Sequence, residues 1–544
     1  MKIRDKYTIT RWVKVLPFYL FTFLPLTAQD SLLLRDYRFV KQYDVWLTSP
    51  NAAALTRFAA PSIAEAELSL TKGNGGLTDY YESPNTLEVN AAVEAFYRLG
   101  RRTVVYGAIS YDNYTGRDMT GSAFIHPTRK PFDIVEDSLT NAGRKHRDTY
   151  HLTGAVGFDI WRGISVGARL DYTAANYAKY KDLRHKNKLM DLTVSAGIYA
   201  PLLPWLSAGG NYTYHRSTES LDFGTYGKSE KVYKSLIDYG AFMGLVEQFG
   251  NDGYTDKSRE MPLFEDSHGG DFQIALYPSP HFSVFGSVGF SRGNGYYGRK
   301  SPFTITYTNH ERHINETRLS LLYQPGQGTS RHRLDFRYAN EKLAAYAETY
   351  RALTNESSAA YYEYYDAVET ADKQWDDISV SYTAQLGIKG ETPTWQFCAG
   401  YYRTERKQAV YLFPFYRHQQ LSTNLLTIGA TRNILLSRGV LSCSLTAGYQ
   451  KGSGTPYEDF TFTTPDNRQA PPATMDAFLY REYQYLTARQ LLLGGNVKYS
   501  FRFPHTSLKT YARLAADYRT ATEAFAYSRG SSHTRLTIAV GCTF

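Results

Sequence analysis

The last twelve residues of the chain, HTRLTIAVGCTF (533–544), alternate strictly between two kinds of side chain. Small or polar residues occupy one set of positions, and apolar residues occupy the other: Leu536, Ile538, Val540, Cys542 and Phe544. Side chains two positions apart in a β-strand lie on the same face. The chain is therefore predicted to end in a strand with one apolar face and one small or polar face.

The same period-two alternation recurs along the chain in segments of roughly ten residues. In Leu441–Tyr449, for example, Leu, Cys, Leu, Ala and Tyr alternate with Ser442, Ser444, Thr446 and Gly448. We count about 18 such strands by this pattern. They begin near Ala64, Leu87, Val105, Tyr150, Ile164, Leu192, Leu206, Phe272, Phe282, Arg318, Arg333, Ile378, Trp395, Leu426, Leu441, Leu491, Leu508 and Arg535.

Connections between the predicted strands alternate in length. Short turns such as 161–163 and 437–439 alternate with long, polar, tyrosine-rich segments, among them 115–146, 218–268 and 451–486. Outer-membrane barrels have this asymmetry, with short periplasmic turns and long extracellular loops. A sheet in lipid must also close, because an open edge would leave backbone groups unpaired. We therefore predict an all-β fold, a transmembrane antiparallel β-barrel of about 18 strands with a small N-terminal plug-like segment. A secreted β-sandwich would not explain the alternating connections.

The first residues have the features of an export signal. Several basic residues precede a short apolar stretch at 15–27, and Ala28 precedes the expected cleavage point. Removing 1–28 takes away five basic residues and one acidic residue, which lowers the net charge from +9 to +5. We predict a signal peptide at 1–28, a periplasmic or plug segment at 29–62 and the barrel at 63–544.

The composition is polar on average but rich in amphipathic aromatic rings. The mean hydropathy is −0.43, and the chain contains 47 tyrosines. No run of about 20 apolar residues occurs, which excludes a helical span of the bilayer. The three cysteines, Cys398, Cys443 and Cys542, lie far apart, which argues against a disulfide scaffold.

The C-terminal strand resembles the assembly signal of bacterial outer-membrane proteins, which is read by the barrel-assembly machinery. Leu536, Ile538, Val540 and Phe544 match that signal, whereas Cys542 stands where an aromatic residue is often found. The mature chain also resembles the uncharacterised outer-membrane barrels of the Bacteroidota. These resemblances imply a location in the cell outer membrane, with outer-membrane lipid and the barrel-assembly machinery as partners. They imply no particular substrate.

Assigning faces to the strands predicts a set of charged residues that line the lumen. Closure of the barrel would bring acidic early strands beside basic late strands. Such an arrangement either orients polar solutes by a transverse field or fills the lumen with ion pairs across neighbouring strands. The predicted lumen-lining residues are Glu88, Glu94, Asp112, Arg169, Asp171, Arg333, Asp335, Arg337, Lys498, Arg502, Arg513 and Asp517.

Two segments are predicted to plug the lumen. In WLTSPNAAALTRF (46–58), Pro50 and Asn51 suggest a turn into a short helix. This stretch resembles the N-terminal plug of fatty-acid-transporter-like barrels, which contains a similar Asn-x-Ala run. In the second segment, 218–268, the apolar residues of 230–250 recur near helical spacing. We expect this long segment to fold over or into the barrel mouth.

The remaining motifs favour structural roles over chemical ones. GNGYYG (293–298) matches a dinucleotide-binding pattern but lacks the following helix. The tyrosines of YYEYYD (361–366) could contact sugars or peptides, but an aromatic girdle at the lipid interface is the favoured explanation. Glu265, Asp266 and His268 lack the spacing of a calcium or zinc site. We expect no catalytic residues, no cofactor, no metal and no nucleic-acid partner.

These observations predict an outer-membrane β-barrel channel or transporter that admits a small-molecule solute. The alternative is a barrel-anchored surface-binding or assembly component that acts through long extracellular loops. An enzyme embedded in the barrel is the least favoured class. A TonB-dependent receptor is disfavoured, because roughly 35 residues before the first strand cannot form a large plug domain.

Overall fold

The computed structural model describes residues 34–544 apart from 43, 137–140, 228–229, 252, 327, 355–359, 467, 504–505, 507 and 524–525. The predicted signal peptide at 1–28 lies outside the described residues, as do the first residues of the predicted plug segment. Strands are numbered β1–β25 in chain order. The two α-helices are α1, Tyr37–Lys41, and α2, Asp476–Thr487. Two 3-10 helices span Val45–Thr48 and Ala52–Arg57.

Eighteen strands form one closed antiparallel barrel, which confirms the predicted fold class. The predicted strands correspond one to one with these strands. They are β1 Ile63–Asn74, β2 Asn85–Arg98, β3 Thr103–Met119, β5 Gly143–Trp161, β6 Ile164–Lys179, β7 Arg184–Leu203, β8 Leu206–Gly224, β11 Met261–Ser279, β12 Phe282–Ser301, β13 Thr304–Tyr323, β14 Ser330–Ala347, β17 Val368–Leu386, β18 Trp395–Leu412, β19 Phe415–Leu436, β20 Gly439–Gly454, β23 Gln490–Arg502, β24 Lys509–Ala521 and β25 Ser532–Thr543.

The first and last barrel strands close the cylinder. Strand β1 pairs antiparallel with both β2 and β25, and Leu68 lies opposite Val540. At the end of the ladder, the Ala64 N–H donates to the Phe544 carbonyl at 2.8 Å, and the Phe544 N–H donates to the Ala64 carbonyl at 3.0 Å. The C-terminal residue is therefore part of the closure, and both ends of the barrel sequence lie on the rim with the short turns.

The alternation in the terminal strand separates an outer face from an inner face. Leu536, Ile538 and Val540 are 51%, 61% and 54% exposed, whereas Ala539 between them is 2% exposed. Leu445 and Leu493 on β20 and β23 are also exposed on the outside. An apolar outer band is what a barrel presents to acyl chains. No helix in the described part of the chain is long and apolar enough to cross a membrane.

Several strands begin earlier than the sequence predicted, and the largest differences lie at the end of the barrel opposite the short turns. Strand β11 begins at Met261, where Phe272 was predicted, and β13 begins at Thr304, where Arg318 was predicted. These strand ends carry polar residues on the outer face as well, such as Asn309 and Glu311. The period-two signal is lost there because the outer face is polar, although the backbone ladder continues.

The apolar residues of 230–250 recur near helical spacing, but this segment does not form a helix. This segment forms the hairpin of β9, Lys234–Gly240, and β10, Met243–Gln248, and joins a four-stranded sheet with β4, Asp133–Glu136, and β22, Ala473–Thr474. Leu236 packs on one side of this sheet, and Ile237 packs on the other. A strand that is buried on both faces reads as a continuous apolar run, which periodicity does not distinguish from a helix.

The other accessory elements lie in the long connections. Strands β15, Tyr350–Thr354, and β16, Ala360–Tyr364, form a separate exposed hairpin. Strand β21, Glu458–Thr461, pairs with the first residues of β19. The sequence did not predict helix α2, which lies in the connection between β20 and β23.

Candidate functional site

The strand register places all twelve predicted lumen-lining residues on the inner face, opposite the apolar outer band. Acidic residues of the early strands and basic residues of the late strands meet across the β1–β25 closure. Arg513 contacts Glu67 there, and Lys498 lies 3.9 Å from Glu65. The residues of this inner face are Glu88, Glu94, Asp112, Arg169, Asp171, Arg333, Asp335, Arg337, Lys498, Arg502, Arg513 and Asp517.

Most of these charged groups are engaged by a neighbour of opposite charge. Arg169 pairs with Asp171 at 2.6 Å, and Arg333 pairs with Asp335 at 2.8 Å. Other pairs are Glu88 with Arg535, Asp112 with Arg147, Arg337 with Glu316 and Glu94 with Lys41 of the N-terminal segment. These contacts support the interpretation in which inner charges pair across the wall.

Asp517 and Arg519 on β24 differ from the other inner charges. Within the described residues, the Asp517 carboxylate has no ion pair or side-chain hydrogen bond. Among the described residues, no carboxylate lies within ion-pair distance of Arg519. Its Nη1 donates a 2.5 Å hydrogen bond to the hydroxyl of Tyr485 on α2. Both side chains face a cavity of about 830 Å³ inside the barrel.

This first cavity lies beneath α2, against the strands on both sides of the closure. Its wall combines hydroxyl groups, tyrosine rings and charges of both signs. The polar lining includes Thr78, Glu82, Ser83, Thr86, Glu88, Tyr114, Arg147, Thr427, Thr446, Tyr485, Asp517, Arg519, His533 and Arg535.

A second cavity of about 400 Å³ lies between α2, the tip of the β9–β10 hairpin and the wall strands β17–β19. It is more aromatic, with Tyr80, Phe132, Phe242 and Trp375 in its lining. The two cavities share three lining residues, Glu82, Tyr485 and Arg519. The Tyr485–Arg519 hydrogen bond therefore stands at the junction between them.

The N-terminal segment, which comprises the described residues of 34–62, occupies the end of the lumen near the short turns. Its buried Trp46 donates from Nε1 to the Tyr277 hydroxyl at 3.0 Å, and Asn51 donates from Nδ2 to Gln273 Oε1 at 3.0 Å. On the far side, Lys509 donates from Nζ to the Arg35 carbonyl at 2.6 Å. Because these contacts reach opposite parts of the wall, the segment blocks this mouth of the barrel.

Inner-face glycines on consecutive strands receive the 3-10 helix Ala52–Arg57. A Cβ atom on Gly167 would lie 2.3 Å from the Ala53 nitrogen, and a Cβ on Gly197 would lie 2.2 Å from Asn51 Oδ1. Gly157 also contacts this helix closely. The sequence analysis did not predict this docking surface. Glycines at inner positions of adjacent strands could have indicated it, because they allow another segment to approach the wall closely.

The other mouth is filled by the inner sheet and α2. Arg406 on the wall makes two 2.8 Å hydrogen bonds with the carboxylate of Glu482 on α2. Arg481, also on α2, donates to the hydroxyl of Thr78 at 2.8 Å. Across the barrel, the Ile125 N–H donates to Glu219 on β8 at 2.8 Å. We call the four-stranded inner sheet together with α2 the mouth plug.

Burial raises the pKa of three carboxyl groups in and beside the mouth plug. Burial raises the pKa of Asp238 to about 7, and the nearby Lys373 opposes that shift. Burial also raises the pKa of Asp79, with Glu482 and Glu82 adding to the shift. Asp238 lies opposite Asp133 in the β4–β9 ladder, where burial raises the pKa of the Asp133 carboxyl as well. Of these three groups, Asp238 therefore titrates near neutral pH.

The other sequence motifs lie in strands of the barrel wall or in the exposed β15–β16 hairpin. Gly293–Gly298 lies within β12, not in a loop before a helix. Tyr361 and Tyr364 belong to the exposed β15–β16 hairpin. Glu265 accepts from Arg312 at 3.0 Å in the wall. Within the described ranges, no group of three or more His, Cys, Asp or Glu side chains is arranged to hold a metal ion.

A closed barrel with an apolar outer band and a plugged polar lumen defines a transmembrane β-barrel protein. The chain belongs to a family of unknown function, DUF6850, which matches residues 52–544. No curated protein matches the chain.

Solved structures similar to the chain include three outer-membrane proteins with low sequence identity. BauA, the ferric preacinetobactin receptor from Acinetobacter baumannii, is 8% identical, with 89% of this chain and 80% of that chain covered and a TM-score of 0.38. FpvA from P. aeruginosa is 9% identical, with 88% and 71% covered and a TM-score of 0.41. The outer membrane transporter YddB from Escherichia coli is 8% identical, with 88% and 80% covered and a TM-score of 0.39.

Proposed function

We propose that the protein is a gated outer-membrane channel or transporter for small polar solutes. The observation that carries this proposal is the cavity of about 830 Å³ inside the barrel, which is lined by charged and hydroxyl groups. The N-terminal segment lies at one end of the lumen, and the mouth plug lies at the other. A barrel that served only as an anchor would not need Asp517 and Arg519 in its lumen without ion pairs among the described residues. Barrels of this strand number are wide enough to hold an aqueous path once obstructions move.

The outer-membrane location forms part of the proposal. The apolar outer band needs acyl chains around it, and β-barrels satisfy their backbone groups in lipid by closure. The exposed positions Leu536, Ile538, Val540 and Phe544 face outward at the closing strand, where the barrel-assembly machinery would read them. The long connections would then face the cell exterior.

The docked N-terminal segment is the gate that the structure makes easiest to test. Gly167→Ala would place a methyl group against the backbone of Ala52 and Ala53, so the segment must shift. Gly154→Ala on the adjacent strand is the matched control, because its Cβ would meet no atom within 4 Å. The purified full chain would be reconstituted in planar bilayers and in liposomes for solute swelling with arabinose.

We expect Gly167→Ala to raise the conductance and the swelling rate above those of the wild type and of Gly154→Ala. Absence of permeation in all three proteins, with heat-modifiable migration showing a folded barrel, would overturn the proposal. That result would favour the alternative function, a barrel anchor that displays the long connections for surface binding or assembly. The exposed, tyrosine-rich β15–β16 hairpin is the surface that favours this alternative.

A further inference from the structure

The junction of the two cavities has an unusual distribution of charge. On other strands, an Arg and an Asp two residues apart on the inner face pair directly: Arg169 with Asp171 and Arg333 with Asp335. Asp517 and Arg519 have the same spacing, roughly 6.6 Å along the strand, yet they are not paired within the described residues. A cation and an anion therefore stand side by side in the cavity, each able to accept a partner.

Arg519 donates its observed side-chain hydrogen bond to the Tyr485 hydroxyl. The 2.5 Å hydrogen bond uses Nη1 and leaves other guanidinium donors available. A guanidinium presents five N–H donors in a planar fork that matches a carboxylate. Arg519 is only partly exposed, so a carboxylate that reached it would be held by charge-assisted hydrogen bonds in a partly desolvated place.

Glu82 supplies a second carboxylate at the same junction. It lines both cavities and accepts one hydrogen bond, from the Asp79 backbone N–H at 2.9 Å. Within the described residues, no Lys, Arg or His lies within ion-pair distance of it. Asp517 and Glu82 together offer the acceptor oxygens that an ammonium group requires, because an ammonium has three donors and no acceptor.

We propose that this junction binds a small zwitterion, a free amino acid or short peptide, with its carboxylate on Arg519 and its ammonium on Asp517 and Glu82. This inference rests on the proposed transport function and names its substrate class. The cavity volume lies within the range of small-molecule sites, roughly 300–1,000 Å³. The Tyr485 and Tyr114 rings give the remaining ligand atoms an amphipathic wall.

Titration calorimetry on the purified full chain in detergent tests the site directly. The probes are alanyl-alanine, its N-acetyl derivative, which lacks the ammonium, and its C-terminal amide, which lacks the carboxylate. We expect saturable binding of alanyl-alanine and a loss of about tenfold or more for each blocked peptide, as charge-assisted hydrogen bonds require. Equal binding of all three peptides, or no binding of any, would overturn the inference.

Two variants assign the ends of the ligand. In Arg519→Gln, binding of alanyl-alanine should fall to the level of the amide, and the amide should be unaffected. In Asp517→Asn, alanyl-alanine should lose most of its advantage over the N-acetyl peptide. Arg337→Gln, which disrupts an inner-face ion pair with Glu316 on distant strands, is the matched control and should bind as the wild type does. Each variant must show the wild-type heat-modifiable migration.

The swelling experiment separates failure of this inference from failure of the transport function. Permeation of arabinose without peptide binding would leave a channel and reject the zwitterion site. Saturable, variant-sensitive peptide binding without permeation of any solute would support the site and reject transport through the barrel.

Discussion

Asn51 Nδ2 donates a 3.0 Å hydrogen bond to Oε1 of Gln273, and both side chains are buried. The same amide donates to the Ile198 carbonyl at 2.8 Å, and its Oδ1 accepts from the Ala53 N–H at 3.1 Å. One side chain therefore caps the 3-10 helix and fixes it to the wall. The N-terminal segment depends on this asparagine for its position.

Replacing Asn51 with alanine should loosen the N-terminal segment without unfolding the barrel. The change leaves the Gln273 amide with a buried, unsatisfied oxygen, which costs about 1–3 kcal/mol. Hydrogen exchange across 45–57 should accelerate, while exchange in β7 and β11 stays slow. Thr48→Ala, at an exposed position of the same segment, serves as control and should behave as the wild type does. Unchanged protection in Asn51→Ala would show that other contacts hold the segment.

The Arg406–Glu482 pair should hold α2 in the mouth. Glu482→Ala leaves the largely buried Arg406 guanidinium without its carboxylate, a change that typically costs about 3–5 kcal/mol. We expect hydrogen exchange in 476–487 to increase strongly. The double variant Arg406→Met/Glu482→Met should recover part of the protection, because it removes both charges. Asp476→Asn, at an exposed position of the same helix, is the control. Equal exchange in Glu482→Ala and Asp476→Asn would contradict the assigned role.

Packing of the β9–β10 hairpin should weaken as pH rises toward neutrality. Burial raises the pKa of Asp238 from 3.8 to about 7, so the folded state keeps a proton that the unfolded state has lost between these values. Stability therefore falls as pH increases from about 4 to about 7 and levels off above that. Exchange protection in 234–248, corrected for intrinsic rates, measures this slope.

Asp238→Asn should flatten that pH dependence, because asparagine does not titrate. A residual slope of the same sign is expected from Glu247, where burial also raises the pKa to about 7. Glu458→Gln, at an exposed position, should retain the full slope. A slope in Asp238→Asn as steep as that of the wild type would assign the effect to other groups.

An arginine on the outer band should be far more damaging than one on the inner face of the same strand. Ile538→Arg puts a charge among acyl chains, which costs about 2–4 kcal/mol near the bilayer midplane. Thr537→Arg points into the lumen and should cost less. Urea titration of folding into lipid vesicles, followed by heat-modifiable migration, compares the two. Similar costs would contradict the assignment of faces.

The number and order of the barrel strands could be predicted because each strand carries its own pattern. Alternation at positions such as Leu441 and Leu536 is set by the pleat of a single strand and needs no knowledge of its neighbours. Strand beginnings such as Met261 were missed where the outer face turns polar above the apolar band. The hairpin at 234–248 could not be recognised as two strands, because burial on both faces removes the alternation.

The candidate site could be predicted only in part. The alternation of side chains between the two faces of a strand was enough to place Asp517 on the inner face, together with Asp335 and Asp171. The alternation could not show that Asp335 and Asp171 form ion pairs while Asp517 forms none with the described residues. Nor could it show that Arg519 donates to Tyr485, on a helix in a distant connection. The same alternation places Arg519 on the inner face beside Asp517. Glu82 and Tyr485 were missed because they lie in connections outside the barrel strands.

The amino-acid sequence by itself determined the barrel, its strand number and the two faces of its wall, because a period of two is a local property of an extended backbone. Only the tertiary structure decided what fills the lumen and which charges remain available there. Those outcomes depend on contacts between residues far apart in the chain, such as Asn51 with Gln273 and Arg406 with Glu482, which no local pattern records.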